Sequence, residues 1–472
     1  MTVIDHKSDT DFKLKITFSL ASLVGAATVF LLALEGCAWS ALTPNVSRSK
    51  SITATNSSCH GITFMKQGRY LHIGSGSVTI DNKGIKTDAQ TLEVSYCAPL
   101  QVEPEKFRLY SADSKHPYFS RVPLACLAGG PSGGGPVGFI IMPDSLVIER
   151  ADGSLLEDKK DYKLDYCFDS IERTSSSIAA EGEVVTLHYK VKRKRLDTLV
   201  VDRDGKFHLL EGSLSQFAPV PADVPVSTIA VAHVMATSEC EALSDDMIMP
   251  ISGVQPSNSA NLATLNECAL SKVTAILKSR KNLNLLICGD SVCCGAHASN
   301  IQKSYSEVFK KQLSDSTGSP VTMTKICMGG RSSSHLLPSI KRYLQTEHPD
   351  LMVIEFVNDL SLSKAEIEKN YVDLFECAAD SGTEIIVCLP HLPSPLFYGQ
   401  PWQKIADKPF FHIVPALALA HNCAIADVAY RWLHSDVEGM QPIWMLADQA
   451  NHPNDYGHKV YAQELMRALD LP

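Results

Sequence analysis

The sequence predicts a parallel α/β domain in its C-terminal part, an all-β, sandwich-like region before it, and an N-terminal transmembrane helix. Three observations carry this reading. From Leu283 onward, short apolar runs alternate with stretches of helical periodicity, the pattern of strands joined by crossover helices. From about Ile62 to Ala236, short alternating runs are separated by Gly, Asp and Asn turns and show no long helical period. Ile16 to Leu34 is an unbroken run of apolar or small residues without a charge, about the length that crosses a bilayer.

In chain order, residues 1–15 form a polar tail containing Lys7, Lys13 and Lys15. Residues 16–36 read as a signal anchor, with the tail cytoplasmic and everything after Cys37 outside, because basic residues stay on the cytoplasmic side. Leu34-Glu35-Gly36-Cys37 loosely resembles a lipoprotein cleavage site, and Ala38 or Ala41 could follow an ordinary signal-peptide cut. All three readings export the bulk of the chain, to the periplasm or the cell exterior. Residues 37–60 read as a stalk, rich in Ser, Thr and Asn from Pro44 to Ser58.

Residues 61–236 are expected to hold the β-rich domain. Runs such as Tyr70 to Ile73, Val184 to Tyr189, Leu196 to Val201 and Phe207 to Leu210 suit short strands, in a sandwich or a pair of small β-domains. Asp202-Arg203-Asp204-Gly205 reads as a hairpin turn between two of them. Lys190 to Arg195 is a basic run, expected to be a solvated strand edge. The glycines between Leu127 and Gly138 lack the Gly-Lys-Ser/Thr ending of a phosphate loop and read as a mobile loop. Residues 237–281 hold a linker and a helix, about Asn261 to Lys278.

Residues 282–472 hold the α/β pattern. Leu283 to Cys288 is almost wholly apolar and suits a strand buried on both faces. Gly289 breaks it, and Asp290 and Ser291 follow. A serine there stands at the carboxyl edge of the sheet, where open α/β folds place ligands. Gly-Asp-Ser alone is also an ordinary helix start. Further strands are expected at Val321 to Cys327, Leu351 to Val357, Glu384 to Leu389 and Cys423 to Val428. Helices are expected at Ser333 to Glu347, Lys364 to Asp380 and Pro409 to Asn422, with a last one from about Asp455. Strand ends carry Gly289-Asp290-Ser291, Gly329-Gly330-Arg331-Ser332-Ser333 and Asn358-Asp359, and Asp448 to Asn454 precedes the last helix.

Taken together and in this order, these four clusters resemble the sequence blocks of the SGNH (GDSL-type) hydrolases, over roughly Leu283 to Pro472. The resemblance implies a three-layer α/β/α domain and a carboxylic ester hydrolase. It matches Ser291 to the nucleophile and His452 to the base. It matches Asp448 to the orienting acid, and Ser291, Gly330 and Asn358 to the oxyanion donors. Three departures stand out. Phe356 occupies a position where the family usually has Gly, Asp448 lies four residues before His452 instead of three, and Cys293 and Cys294 flank the nucleophile. The spacing leaves open a dyad with a backbone carbonyl as orienter.

The residue types suit the chemistry. A serine hydroxyl needs a base to take its proton, an imidazole does so near neutral pH, and a carboxylate fixes its tautomer. Backbone and amide N–H groups then hold the oxyanion. The expected substrate is a small-molecule or polysaccharide ester, O-acetyl esters on carbohydrate being one candidate. A lipid esterase of lysophospholipase type and a non-catalytic binding protein with a degenerate hydrolase domain are the alternatives. No cofactor and no metal is expected, since the 14 cysteines show neither a CxxC pair nor a zinc spacing with histidine. The net charge of −9 makes no case for nucleic acid. Cys288, Cys327, Cys388 and Cys423 read as buried small hydrophobes. Cys59, Cys97, Cys126, Cys167 and Cys240 read as the better disulfide candidates.

Overall fold

The structure, a computed structural model, describes residues 52–53, 59–111, 122–123, 140–142, 144–165, 170–216, 219–252, 259–448 and 450–471. The expected transmembrane segment 16–36, the glycine-rich loop at 127–138 and Cys126 and Cys167 lie outside the described residues. Among the described residues no helix is long and apolar enough to cross a membrane.

The C-terminal domain is built on a five-stranded parallel sheet. Its strands are β1 (Leu283–Gly289), β2 (Val321–Cys327), β3 (Leu351–Glu355), β4 (Glu384–Leu389) and β5 (Ala424–Asp427), in the order 2-1-3-4-5. All four pairings are parallel. β1 and β3 are buried along almost their whole length, which is why they read as continuous apolar runs. The longer helices are α1 (Ser259–Ala269), α2 (Ser271–Lys278), α3 (Tyr305–Thr317), α4 (Ser333–Glu347), α5 (Lys364–Ser381), α6 (Phe410–Ala420), α7 (Val428–Leu433) and α8 (Asp455–Ala468), with two short turns of helix at Pro395–Tyr398 and Trp402–Ala406. α1, α3 and α8 pack together on one face, and α4, α5 and α6 on the other. Right-handed crossovers that reverse direction after β2 require helices on both faces.

Local chemistry fixes the ends of these helices. Ser363 and Glu366 close a reciprocal capping box at the start of α5, and Gly382, with φ +70°, ends it in the left-handed region. Two departures from the sequence reading follow from local signals. The single helix expected over Asn261 to Lys278 is interrupted at Leu270, which leaves the helical region. The helix α3 was not among the expected elements. Its buried stripe is Tyr305, Phe309 and Leu313, and the charges between them blur it.

The region before this domain is β-rich throughout its described length, in six small antiparallel sheets. Its buried side chains form two separate clusters. One joins residues of 59–97 with residues of 199–248, and the other lies within 107–191. That division matches a pair of small β-units better than one continuous sandwich. Ile52–Thr53 and Cys59–His60, within the stretch expected as a stalk, pair as short strands with Thr63–Phe64 and Ser77–Val78. The expected hairpin closes as read, with Gly205 at φ +77° and the strands Lys194–Val201 and Phe207–Leu210 paired across it.

The basic run is not a solvated edge. Arg195 is buried and donates to both carboxylate oxygens of buried Asp197, at 2.7 and 2.8 Å. Arg193 donates to the Ala98 carbonyl and Lys192 pairs with Glu239. The sheet carrying this run abuts the α/β domain. Leu196 and Met235 belong to the large C-terminal core, Ser252 N–H donates to Val437 O at 2.8 Å, and Gln441 donates to Asp246 O at 2.6 Å.

Candidate active site

The order 2-1-3-4-5 has its switch point between β1 and β3, and open α/β sheets place their ligands at the carboxyl ends of the strands there. The loops after β1, β2 and β3 deliver Ser291, Gly330 and Asn358 to this edge. The loop before α8 delivers Asp448 and His452.

Gly289 ends β1 where space is shortest. A Cβ there would lie 2.3 Å from the Glu355 carbonyl oxygen and 2.6 Å from the Cys293 Cβ, so no side chain fits. The chain then turns. Asp290 is fully buried; its Oδ1 accepts the Val292 N–H at 3.1 Å and its Oδ2 the Asn358 N–H at 2.9 Å. One carboxylate thus ties the serine turn to the Asn358 turn. The sequence reading gave Asp290 no role of its own.

His452 Nε2 lies 3.0 Å from Ser291 Oγ, and His452 Nδ1 is hydrogen-bonded to Asp448 Oδ2. The four-residue spacing is accommodated by the other carboxylate oxygen. Asp448 Oδ1 accepts the N–H groups of Ala450, Asn451 and His452 at 3.0, 3.1 and 3.0 Å. The carboxylate caps its own turn and still reaches the ring, so a carboxylate stands at the orienting position left open above. Burial by itself raises the Asp448 carboxyl. The His452 hydrogen bond and charge outweigh burial and hold it well below the usual carboxylate range.

Gly330 has φ +69° with open space where a side chain would stand. Among the described residues, neither the Ser291 N–H nor the Gly330 N–H donates to a protein acceptor. Asn358 stands in a 3₁₀ turn, Val357–Ser361, and one hydrogen of its amide goes to the Arg331 carbonyl at 3.2 Å. The second hydrogen of that NH₂ remains for another acceptor.

Three further groups at the site escaped the sequence reading. His297 is buried, holds φ +62°, and stacks on His452 with ring centroids 4.7 Å apart and an 18° interplanar angle. Its Nε2 has no hydrogen-bond partner and lies 3.9 Å from Asp448 Oδ2. Burial lowers its pKa to about 4. Glu355, at the end of β3, is completely buried against the Gly289 end of β1. Its carboxyl lies near the Val357 and Cys293 N–H groups without a well-formed hydrogen bond to either. Burial, then the neighbouring Asp290, pushes it well above the ordinary range. Burial also raises Asp290, to about 6; its two N–H donors favour its charged form, so of the pair burial favours the neutral form more strongly at Glu355. Asp359 is raised to about 7 by burial, against hydrogen bonds from Ser333 N–H and Tyr371 Oη. None of these has a sequence signal beyond its type; each matters through what surrounds it.

The cysteines correct the sequence reading. Cys293 and Cys327 form a disulfide, with Cα atoms 5.7 Å apart. It joins the serine turn to the end of β2, just before Gly329-Gly330. Cys59 and Cys97, expected as disulfide candidates, are buried thiols. Cys288, Cys388 and Cys423 are buried thiols as expected, while Cys327 is not.

The profile of the GDSL-like Lipase/Acylhydrolase family matches residues 287–460. Residues 287–460 of the C-terminal domain are therefore similar to the GDSL-like lipases and acylhydrolases. No curated protein sequence matches the chain. Among solved structures, a two-domain esterase (CEX) active on acetylated mannans is 20% identical with a TM-score of 0.35, over 43% of this chain and 53% of that one. The match thus spans about half the length of that esterase. TesA is 23% identical with a TM-score of 0.33, over 39% of this chain and 97% of that one. The lipase/acylhydrolase from Enterococcus faecalis is 19% identical with a TM-score of 0.33, over 39% and 94%.

Proposed function

We propose that the domain hydrolyses carboxylic esters through an acyl-serine intermediate, with Ser291 as nucleophile, His452 as base and Asp448 as its orienting acid. The observation that carries the reading is the 3.0 Å approach of His452 Nε2 to Ser291 Oγ, with the far ring nitrogen on Asp448. Ser291 attacks the ester carbonyl as its proton passes to Nε2. The Ser291 and Gly330 N–H groups and the Asn358 amide hold the oxyanion. The imidazolium then gives its proton to the departing alcohol, and water, activated by the same nitrogen, releases the acid. Asp448, ionised throughout, keeps the Nδ1–H in place.

In the same reading the enzyme is exported and held at a membrane by residues 16–36, and its substrate is an O-acetyl ester on carbohydrate. The charge-free run behind Lys13 and Lys15 and the β-rich module ahead of the hydrolase support this. The test is fluorophosphonate labelling with peptide mapping, followed by acetate release from a panel of acetylated glycans. Label on Ser291, and loss of p-nitrophenyl acetate turnover by about 10⁴- to 10⁶-fold in Ser291→Ala, are expected. Asn358→Ala should lose about 100- to 1,000-fold in kcat. Label on another residue, or a burst of p-nitrophenol that survives Ser291→Ala, overturns the assignment. Cell fractionation of a tagged chain checks the location.

A further inference from the structure

We propose that His297, Asp448 and His452 form an inhibitory binding site for a borderline-soft divalent metal ion, zinc in the first place. The proposal rests on the reading of His452 as the base.

One donor atom from each of the three side chains falls within 4.8 Å of the others. His297 Nε2 is 3.9 Å from Asp448 Oδ2, and Asp448 Oδ2 is already bonded to His452 Nδ1. Tetrahedral zinc with bonds of about 2.0–2.1 Å sets its donors about 3.3 Å apart, so the His297 Nε2–Asp448 Oδ2 pair must close from 3.9 Å, the hydrogen-bonded Asp448 Oδ2–His452 Nδ1 pair must open, and the two stacked rings must tilt until both lone pairs meet at the ion. Two imidazoles and one carboxylate are a zinc-type donor set; all-oxygen cations such as Mg²⁺ and Ca²⁺ select other sites.

The second observation is His297 itself. Its side chain is 1% exposed, and its Nε2 has no protein partner. A buried ring nitrogen without a partner is costly. This one is held at φ +62° and set against the Asp448–His452 pair. The proposed triad uses only two of these three side chains, and hydrolysis by it gives His297 no task. The His452 side chain is 16% exposed, the most of the three, against 6% for Asp448 and 1% for His297.

Binding at this site switches hydrolysis off by moving one proton. In the competent state Nδ1 of neutral His452 carries the hydrogen and Nε2 offers a lone pair to Ser291. When zinc takes the Nδ1 lone pair, the ring hydrogen resides on Nε2 and Asp448 Oδ2 exchanges its hydrogen bond for the metal. Nε2–H no longer accepts the serine proton. No net proton is released and nothing is oxidised. Removing the ion restores the original tautomer.

The test uses the full-length chain, stripped with a chelator, and zinc alone as probe. Calorimetry on Ser291→Ala, which keeps all three donors, should give one zinc per chain. The double variant Ser291→Ala/His297→Gln should bind at least about 100-fold more weakly, since even outer partners of metal sites are worth about 10- to 100-fold. In the enzyme with Ser291 intact, zinc should slow both p-nitrophenyl acetate turnover and fluorophosphonate labelling, and a chelator should reverse both. Should His297→Gln fail to fold, ring nitrogen shifts in Ser291→Ala decide. Joint movement of His297 and His452 on adding zinc supports the site; movement confined to other histidines overturns it. Absence of binding, equal binding without His297, or a higher rate with zinc also overturns it. Loss of zinc binding leaves the hydrolase reading standing, whereas turnover independent of Ser291 removes that reading without touching the calorimetry.

Discussion

The β-rich region and the α/β domain treat buried polar groups differently. In the β-rich region the buried charge is matched: Arg195 and Asp197 are paired through two hydrogen bonds, and Asp197 also accepts the Gly212 N–H at 3.0 Å. The unpartnered buried side-chain atoms described there are two hydroxyls, of Ser170 and Thr237. In the α/β domain the described buried side chains without a partner include ionisable groups: the Glu355 carboxyl and the ring nitrogens His297 Nε2 and His391 Nε2. An orphaned buried ionisable group costs more than an orphaned hydroxyl. A fold tolerates that cost where function requires it. The β-rich region is built for stability and the carboxyl edge of the parallel sheet for chemistry.

Three substitutions sharpen or break this contrast. The largest effect is expected at Asp448→Asn, which keeps the shape but loses the tautomer-fixing charge. It should lower kcat by about 10⁴-fold with little change in KM. An unchanged kcat would mean that another group orients His452, and would detach the acid from the site. In the β-rich region, Asp197→Ala leaves Arg195 buried with only exposed Glu211 and the Ser95 carbonyl for company. It should cost about 3 kcal/mol in denaturant unfolding while kcat of the folded enzyme holds. A fall in kcat without a fall in stability would erase the division of labour.

The smallest effect is expected at Glu355→Gln and is a matter of slope. Below about pH 4.3 both folded and unfolded chains hold this proton. Above it the unfolded chain loses the proton and the folded chain keeps it, so the native carboxyl makes stability fall with pH, by up to about 1.4 kcal/mol per unit. Glutamine has no proton to lose. The stability of the variant minus that of the native enzyme should therefore rise with pH, as followed by urea midpoints. Parallel curves would mean that Glu355 is ionised in the folded protein.

The path from sequence to site was uneven, for physical reasons. β1, β3 and β4 were legible because a strand buried on both faces must be apolar along its length. α4 and α5 were legible because their periodicity and polar boundaries agree. α3 was not, since its buried positions are spaced among lysines, serines and acids. The basic run from Lys190 to Arg195 misled because charge in a sequence signals solvent until a partner is seen, and Asp197 is that partner. The disulfide between Cys293 and Cys327 was hidden because apolar surroundings are equally good for a thiol.

By itself the sequence determined the alternation of strand and helix, the break at Gly289, and the residue types Ser291, Gly330 and Asn358 after three strands and Asp448 and His452 before the last helix. These are local properties, set by side-chain polarity and backbone freedom over a few neighbours. Only the tertiary structure decided that Asp448 caps its own turn while holding His452, that Asp290 ties two loops together, and that Glu355 is buried without a hydrogen-bond partner. It also decided that His297 lies flat against the His452 ring. Such properties depend on which groups exclude water and which donors face them, and residues 150 positions apart become neighbours only when the sheet has closed.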